Sequence, residues 1–285
     1  MKLGRLEIDV VSDCEFRLDG GAMFGVVPKS LWNRVKWCDE QNRIRMATNC
    51  LLVRDGREVV LIDTGIGDKL PEKSRAQFGM DDGARRLPAA LAAVGCAIEE
   101  ITQVLLTHLH FDHCGWNTRR APDGRLVPTF PNARYWLCRG EVAHARQPNE
   151  RDRASYLPEN WEPLFEAGVV ELFDDEVEVV PGVRAVKAPG HNADMCLVLV
   201  DGGAGAGERA AFPADLIPHA AHAPLPWIMG FDLYPMTTLE QKKLWLPRLA
   251  SEARLCVFEH DADTPLGRVV EEAPGRFRAE PVAAG

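Results

Sequence analysis

Between residues 107 and 116 the chain reads Thr107-His108-Leu109-His110-Phe111-Asp112-His113-Cys114-Gly115-Trp116, directly behind the apolar run Val104-Leu105-Leu106. Such a run predicts a buried strand. Its end delivers three imidazoles and a carboxylate onto a loop at the strand's C-terminal edge, where ligands of α/β sheets commonly sit. Neutral imidazole and carboxylate are donors that zinc and similar divalent ions accept. A lone loop histidine is usually an ordinary polar residue. Three held together without a metal would raise each other's cost of protonation for no structural gain, so the stretch reads as a metal site.

Around it the chain alternates strand and turn signals. Leu6 to Val10 alternates as a half-buried strand. Residues 20–28 read as a flexible, apolar, glycine-rich loop, and Trp32 and Trp37 follow; these aromatics and Met23 suit either the core or the wall of a substrate pocket. Residues 50–53 and 59–62 around Arg54-Asp55-Gly56-Arg57 predict a hairpin ending at Asp63, which serves as a turn former or as a site residue. A helix is expected over 84–95, stopped by Gly95, and a strand over 101–106. Beyond the histidines come a strand at 134–137, a short helix from Gly140 and a polar, proline-bearing surface excursion over 146–160.

Strands return at 169–172, 177–180 and 183–186, the last leading to Pro189-Gly190-His191. Residues 196–200, a glycine-rich turn at 201–207 and 210–215 then repeat the plan of 50–63: strand, turn, strand, aspartate. Two halves with one plan suggest paired α/β units facing each other within a single domain spanning 1–285. Pro213 hints at an edge or a bulge. A helix is expected over 237–250, with Thr237 and Glu240 at capping-box spacing and Pro247 kinking or shortening it. Leu255 to Phe258 then delivers Glu259-His260-Asp261.

With 42 acidic against 33 basic residues, the net charge of −9 argues against nucleic acid as a partner. Eight scattered cysteines with no CxxC spacing fit a reducing compartment, and several sit in strand-like runs as small hydrophobes. No signal-peptide core opens the chain, and no stretch approaches the roughly 20 apolar residues of a membrane helix. A cytoplasmic protein without a membrane partner is expected.

His108-x-His110-x-Asp112-His113, followed by His191, Asp215 and His260 after later strands, closely resembles the metallo-β-lactamase superfamily. The resemblance runs from Ile62-Asp63-Thr64-Gly65 to His260 and lies nearest the lactonase and organophosphate-hydrolase-like branch. It implies a four-layer αβ/βα sandwich of two facing mixed β-sheets flanked by helices. It also implies two divalent metal ions per chain, zinc first, with manganese, cobalt or iron accepted by the same donors. One would be held by His108, His110 and His191, the other by Asp112, His113 and His260, with Asp215 bridging. Asn192 stands where the family usually has threonine, and Ala214 where a glycine is common.

A dinuclear site of this kind generates hydroxide near neutral pH without a serine or cysteine nucleophile. It would attack a lactone or other carboxylic ester while a metal stabilises the oxyanion. The alternatives are phosphotriester or thioester hydrolysis, then a mononuclear-iron persulfide dioxygenase or a non-catalytic binding protein. Asp112 would accept or relay a proton as well as ligate, and Asp63 would hydrogen-bond a ligand imidazole. Acyl-homoserine lactonases carry a tyrosine three residues after the bridging aspartate; Pro218 stands there, leaving His219, His222 or Tyr234 to supply a polar catalytic group. Trp227, Ile228, Met229 and Phe231 suit an apolar pocket wall or core, so the expected partner is a small ester or lactone with an apolar part. Exposed loop aromatics are compatible with a homodimer.

Overall fold

The computed structural model describes residues 1–80, 86–203 and 208–283. Two seven-stranded mixed sheets face each other, and in each the spatial order of the strands follows the chain. The first contains β1 (Lys2–Leu3), β2 (Leu6–Asp19), β3 (Arg43–Arg54), β4 (Val59–Ile62), β5 (Gln103–Leu105), β6 (Arg134–Cys138) and β7 (Val170–Phe173). The second contains β8 (Glu176–Val180), β9 (Val183–Lys187), β10 (Cys196–Asp201), β11 (Arg209–Phe212), β12 (Leu255–Val257), β13 (Leu266–Ala273) and β14 (Arg276–Pro281). Three helices matter for the site: α1 (Leu87–Ala93), α2 (Arg139–Arg146) and α3 (Pro235–Ser251).

The unbroken apolar runs are explained by burial on both faces. Leu51 and Val53 of β3 join Ile62, Leu105, Leu197, Leu199 and Ala211 in the core between the sheets. Cys50 and Leu52, pointing the other way, pack with Leu61 and Val104 against Leu87 and Leu91 of α1 and Val142 of α2. The expected hairpin is present, with Leu51 paired to Ile62 and Arg54 to Val59. β4 runs parallel to β5, and β11 parallel to β12, so in each half two neighbouring strands end at the same edge.

Several local expectations are corrected. Residues 20–24 form a short helix, because the Asp19 carboxylate accepts the Ala22 N–H at 2.8 Å. Trp32 is buried in a small core beside it, whereas Trp37 is exposed. Pro213 lies just past β11, opening the turn Ala214–Leu216, so it ends an interior strand instead of marking an edge. Helix α3 starts at Pro235 with no side-chain cap and runs through Pro247 to Ser251, so Thr237 and Glu240 form no capping box. Residues 84–85 of the expected helix and 204–207 of the expected glycine-rich turn lie outside the described residues. The eight cysteines are free and buried, and among the described residues no helix is long and apolar enough to cross a membrane.

Candidate metal centre

Strand ends β4, β5, β11 and β12 bring Asp63, His108, Asp215 and His260 to one place. The turn after β5 is held open by backbone contacts that only glycine allows: Gly115 donates to Gly65 O at 2.6 Å, and a Cβ there would meet Ile66 O at 1.9 Å. Glu141 of α2 fixes the other side, its Oε1 accepting the Leu109 N–H at 2.9 Å between the two flanking histidines. Two donor groups result. His108, His110, His191 and Asp215 form one, and Asp112, His113 and His260 the other, the ligand atoms within each lying no more than 4.8 Å apart. Asp215 spans them: Oδ2 is 3.1 Å from His191 Nε2 and 3.5 Å from His113 Nε2, while Oδ1 is 3.2 Å from His260 Nε2.

The outer nitrogens of these rings decide what the inner ones can be. His113 Nδ1 meets Asp63 Oδ2 at 3.0 Å and Glu259 Oε2 at 2.9 Å. His191 Nδ1 meets Asp232 Oδ1 at 3.1 Å, and His260 Nδ1 meets Ala47 O at 2.9 Å. His108 Nδ1 meets Thr107 Oγ1 at 3.1 Å, and that hydroxyl gives its own proton to Asp63 at 2.6 Å. Every outer partner is an acceptor, so each ring places its N–H outward and its lone pair inward. Inner nitrogens of His113 and His260 then stand 3.2 Å apart, lone pair to lone pair, around a carboxylate. His108 Nε2 and Asp215 Oδ1 are buried with no hydrogen-bond partner among the described residues. A divalent cation would satisfy that arrangement, and the donor set fits one: imidazoles and carboxylates without thiolate, as in open sites. Cys114, the nearest thiol in sequence, turns its Sγ to Leu109 O instead.

Protons and a divalent cation compete for these lone pairs. Burial pushes His108 and His110 well below the usual imidazole range. Burial also opposes protonation of His260, but the Asp215, Glu259 and Asp112 carboxylates outweigh it and lift the ring to about 9. His191 is raised against burial by Asp215 and Asp232, and His113 by Glu259 and Asp215. For Asp215 itself burial raises the pKa, yet the surrounding imidazoles hold it well below the carboxylate range.

The donors open onto a cavity of about 470 Å³ walled by Leu18, Met23, Met46, Phe78, Phe111 and Met229. Met229 and Phe231 line it as expected of a pocket wall; Trp227 and Ile228 do not. The three candidates for an extra catalytic group are corrected by placement. His219 is packed with Nε2 3.1 Å from Met46 Sδ, and His222 lies flat on Phe24 with Nε2 2.9 Å from Met23 O. Tyr234 sits half-exposed ahead of α3. None lines the cavity. Residues 146–160, expected to be a surface excursion, supply Arg151, Asp152 and Ser155 to its wall and bury Tyr156 against His110, ring centres 4.8 Å apart. Nothing periodic in that polar segment signalled this. Asp232 and Glu259 were likewise missed as ring-orienting groups, although Glu259 directly precedes His260.

Residues 43–260 match the profile of the Metallo-beta-lactamase superfamily. An N-acyl homoserine lactonase of Bacillus cereus is 25% identical over 169 residues, 56% of this chain and 60% of that protein. An atrochrysone carboxyl ACP thioesterase of Aspergillus chevalieri is 30% identical over 59% of this chain and 39% of that one, so the chain spans less than two thirds of the length of either relative. Among solved structures, a probable metal-dependent hydrolase from Staphylococcus aureus superposes with TM-score 0.88 at 28% identity over the whole of both chains. AidC, a dizinc quorum-quenching lactonase, superposes with TM-score 0.80 at 22% identity over all of this chain and 97% of its own, a likeness of fold.

Proposed function

The chain belongs to the metallo-beta-lactamase superfamily, and from that premise we propose that it is a metal-dependent hydrolase of lactones or related carboxylic esters. The observation that carries the reading is the set of inward lone pairs, fixed by outer acceptors and converging on Asp215. His108, His110 and His191 would hold one divalent ion, Asp112, His113 and His260 a second, with Asp215 shared and zinc the first choice. Ions bound there supply Lewis acidity toward water and toward a carbonyl oxygen. The chain's own residues do the rest. Asp63, Asp232, Glu259 and the Ala47 carbonyl hold the rings in one tautomer, so no reorganisation is needed during turnover. Asp112 borders the cavity and offers a carboxylate oxygen as a proton acceptor. The apolar wall takes up a hydrocarbon portion of the substrate and excludes bulk water.

A second reading, thioester hydrolysis at the same donors and apolar wall, is favoured by the similarity to an ACP thioesterase. Metal analysis of the purified, reconstituted protein, run beside hydrolysis rates over lactones, esters, thioesters and phosphotriesters, tests both. Close to two ions per chain with lactone turnover leading the panel is expected. One tightly held ion removes the dinuclear scheme, and thioester turnover above lactone turnover reverses the ranking.

A further inference from the structure

Lys36 has only 7% of its surface exposed, and Asp261, the residue after His260, has none. The Lys36 ammonium donates to Asp261 Oδ1 and, at 2.8 Å, to Asp263 Oδ2. Desolvating an ammonium and a carboxylate offsets most of their attraction, so stability alone does not account for the pair. Asp261 uses both of its oxygens. Oδ1 also accepts the N–H groups of Asp263 and Thr264 at 3.0 and 2.9 Å, and Oδ2 accepts the N–H of Ala220 at 3.0 Å. Ala220 follows the turn Ala214–Leu216 that carries Asp215, and the His260 N–H donates to Pro218 O at 3.0 Å in the same stretch. Asp261 therefore joins the two turns that present Asp215 and His260, whose Oδ1 and Nε2 stand 3.2 Å apart. Lys36 anchors this junction to the first half of the chain. Its own N–H donates to Trp32 O at 2.9 Å, and Trp32 is buried and stacked on Phe24.

We propose that Lys36, acting through Asp261, is a positioning residue that sets the place of His260 against Asp215 and with it the affinity for the ion held by Asp112, His113 and His260. Among the described residues neither Lys36 nor Asp261 bonds to His108, His110 or His191, so the ion at that group depends far less on the pair. The assignment rests on the two-ion reading of the donor groups; it does not depend on which bond the protein hydrolyses.

Zinc titrated into the metal-free full chain against a competing chelator tests this without turnover, and the binding step that disappears in His260→Ala identifies the second ion. Lys36→Met should weaken that step by about tenfold or more, as loss of an outer partner does, and leave the first step within about threefold. It also strands the Asp261 charge in the interior, which destabilises the fold. Lys36→Met combined with Asp261→Asn removes that charge and should withstand more denaturant than Lys36→Met alone. An amide has one acceptor oxygen where Asp261 uses two, so the junction stays loose and second-ion affinity should stay low. The double variant carries the test where the single one does not fold. A second step of wild-type affinity in either variant, an affinity that recovers along with stability, or equal weakening of both steps overturns the proposal. A single step in the wild type removes the two-ion reading and the proposal with it, whereas two steps that neither variant alters remove the proposal alone.

Discussion

Two pairs of histidines in this chain are alike in burial and unlike in what they can do. His108 and His110 are 1% and 8% exposed; His219 and His222 are 0% and 1% exposed. Both pairs follow buried strands and sit on loops near the same cavity. His222 directs one ring nitrogen to the Met23 carbonyl and stacks on Phe24 at 4.8 Å, and His219 faces the Met46 thioether. Among the described residues no pair of carboxylates collects their remaining nitrogens; His219 Nδ1 has Asp261 Oδ2 alone, at 3.8 Å. Around His108 the outward acceptors and the shared Asp215 leave lone pairs aimed at one another. Burial does not make a ligand; converging lone pairs do.

Removing the point of convergence should have the largest effect. Asp215→Ala should lower bound metal toward one ion or none and cut hydrolysis by more than about 10²-fold, beyond what loss of an outer partner costs. Elemental analysis with steady-state kinetics checks it, and full metal content would erase the contrast between the two pairs. Next is the loop carrying the packing pair. The Lys242 ammonium donates to the carbonyls of His222, Pro224 and Trp227 at 2.6, 2.7 and 2.8 Å, while burial pushes its pKa down to about 7. Lys242→Met should destabilise the fold by about 3–5 kcal/mol, read from denaturant unfolding, by leaving buried acceptors unpaired.

Outer partners sharpen the comparison further. Asp232→Ala should weaken metal retention by roughly 10–100-fold in a chelator competition, because His191 loses the acceptor that fixes its tautomer. His222→Phe, in contrast, should leave metal content unchanged and cost about 1 kcal/mol for the lost bond to Met23. That variant also carries the pH signature. Burial lowers His222 to about 3, below its unfolded value near 6.5, so the unfolded chain binds the extra proton as pH falls through that window. Stability present above pH 6.5 is therefore lost on acidification, by about 2 kcal/mol at pH 5, and His222→Phe should flatten that part of the profile in acid-unfolding curves.

His108, His110, Asp112 and His113 were legible because four donors in six positions have no bland explanation, and His191, Asp215 and His260 because each follows a strand in a known order. The failures share a cause. His219, His222 and Tyr234 carry the right chemistry, but which atoms they face depends on Met23, Met46 and Phe24, far away in the chain. Asp152 and Tyr156 sit in a polar segment with no periodicity, since they are fixed by single contacts to His144, Glu141 and Asn192 and not by a repeating apolar face.

Local spacing and the period of apolar residues were enough to suggest two halves of one plan and to mark the first donor cluster as a candidate metal site, because those properties depend on neighbours a few positions apart. Ring tautomers, the sharing of Asp215 and the makeup of the cavity wall were decided only by tertiary structure. Each depends on distances between groups separated by up to about two hundred residues, as between Ala47 and His260, and no short-range pattern encodes such a distance.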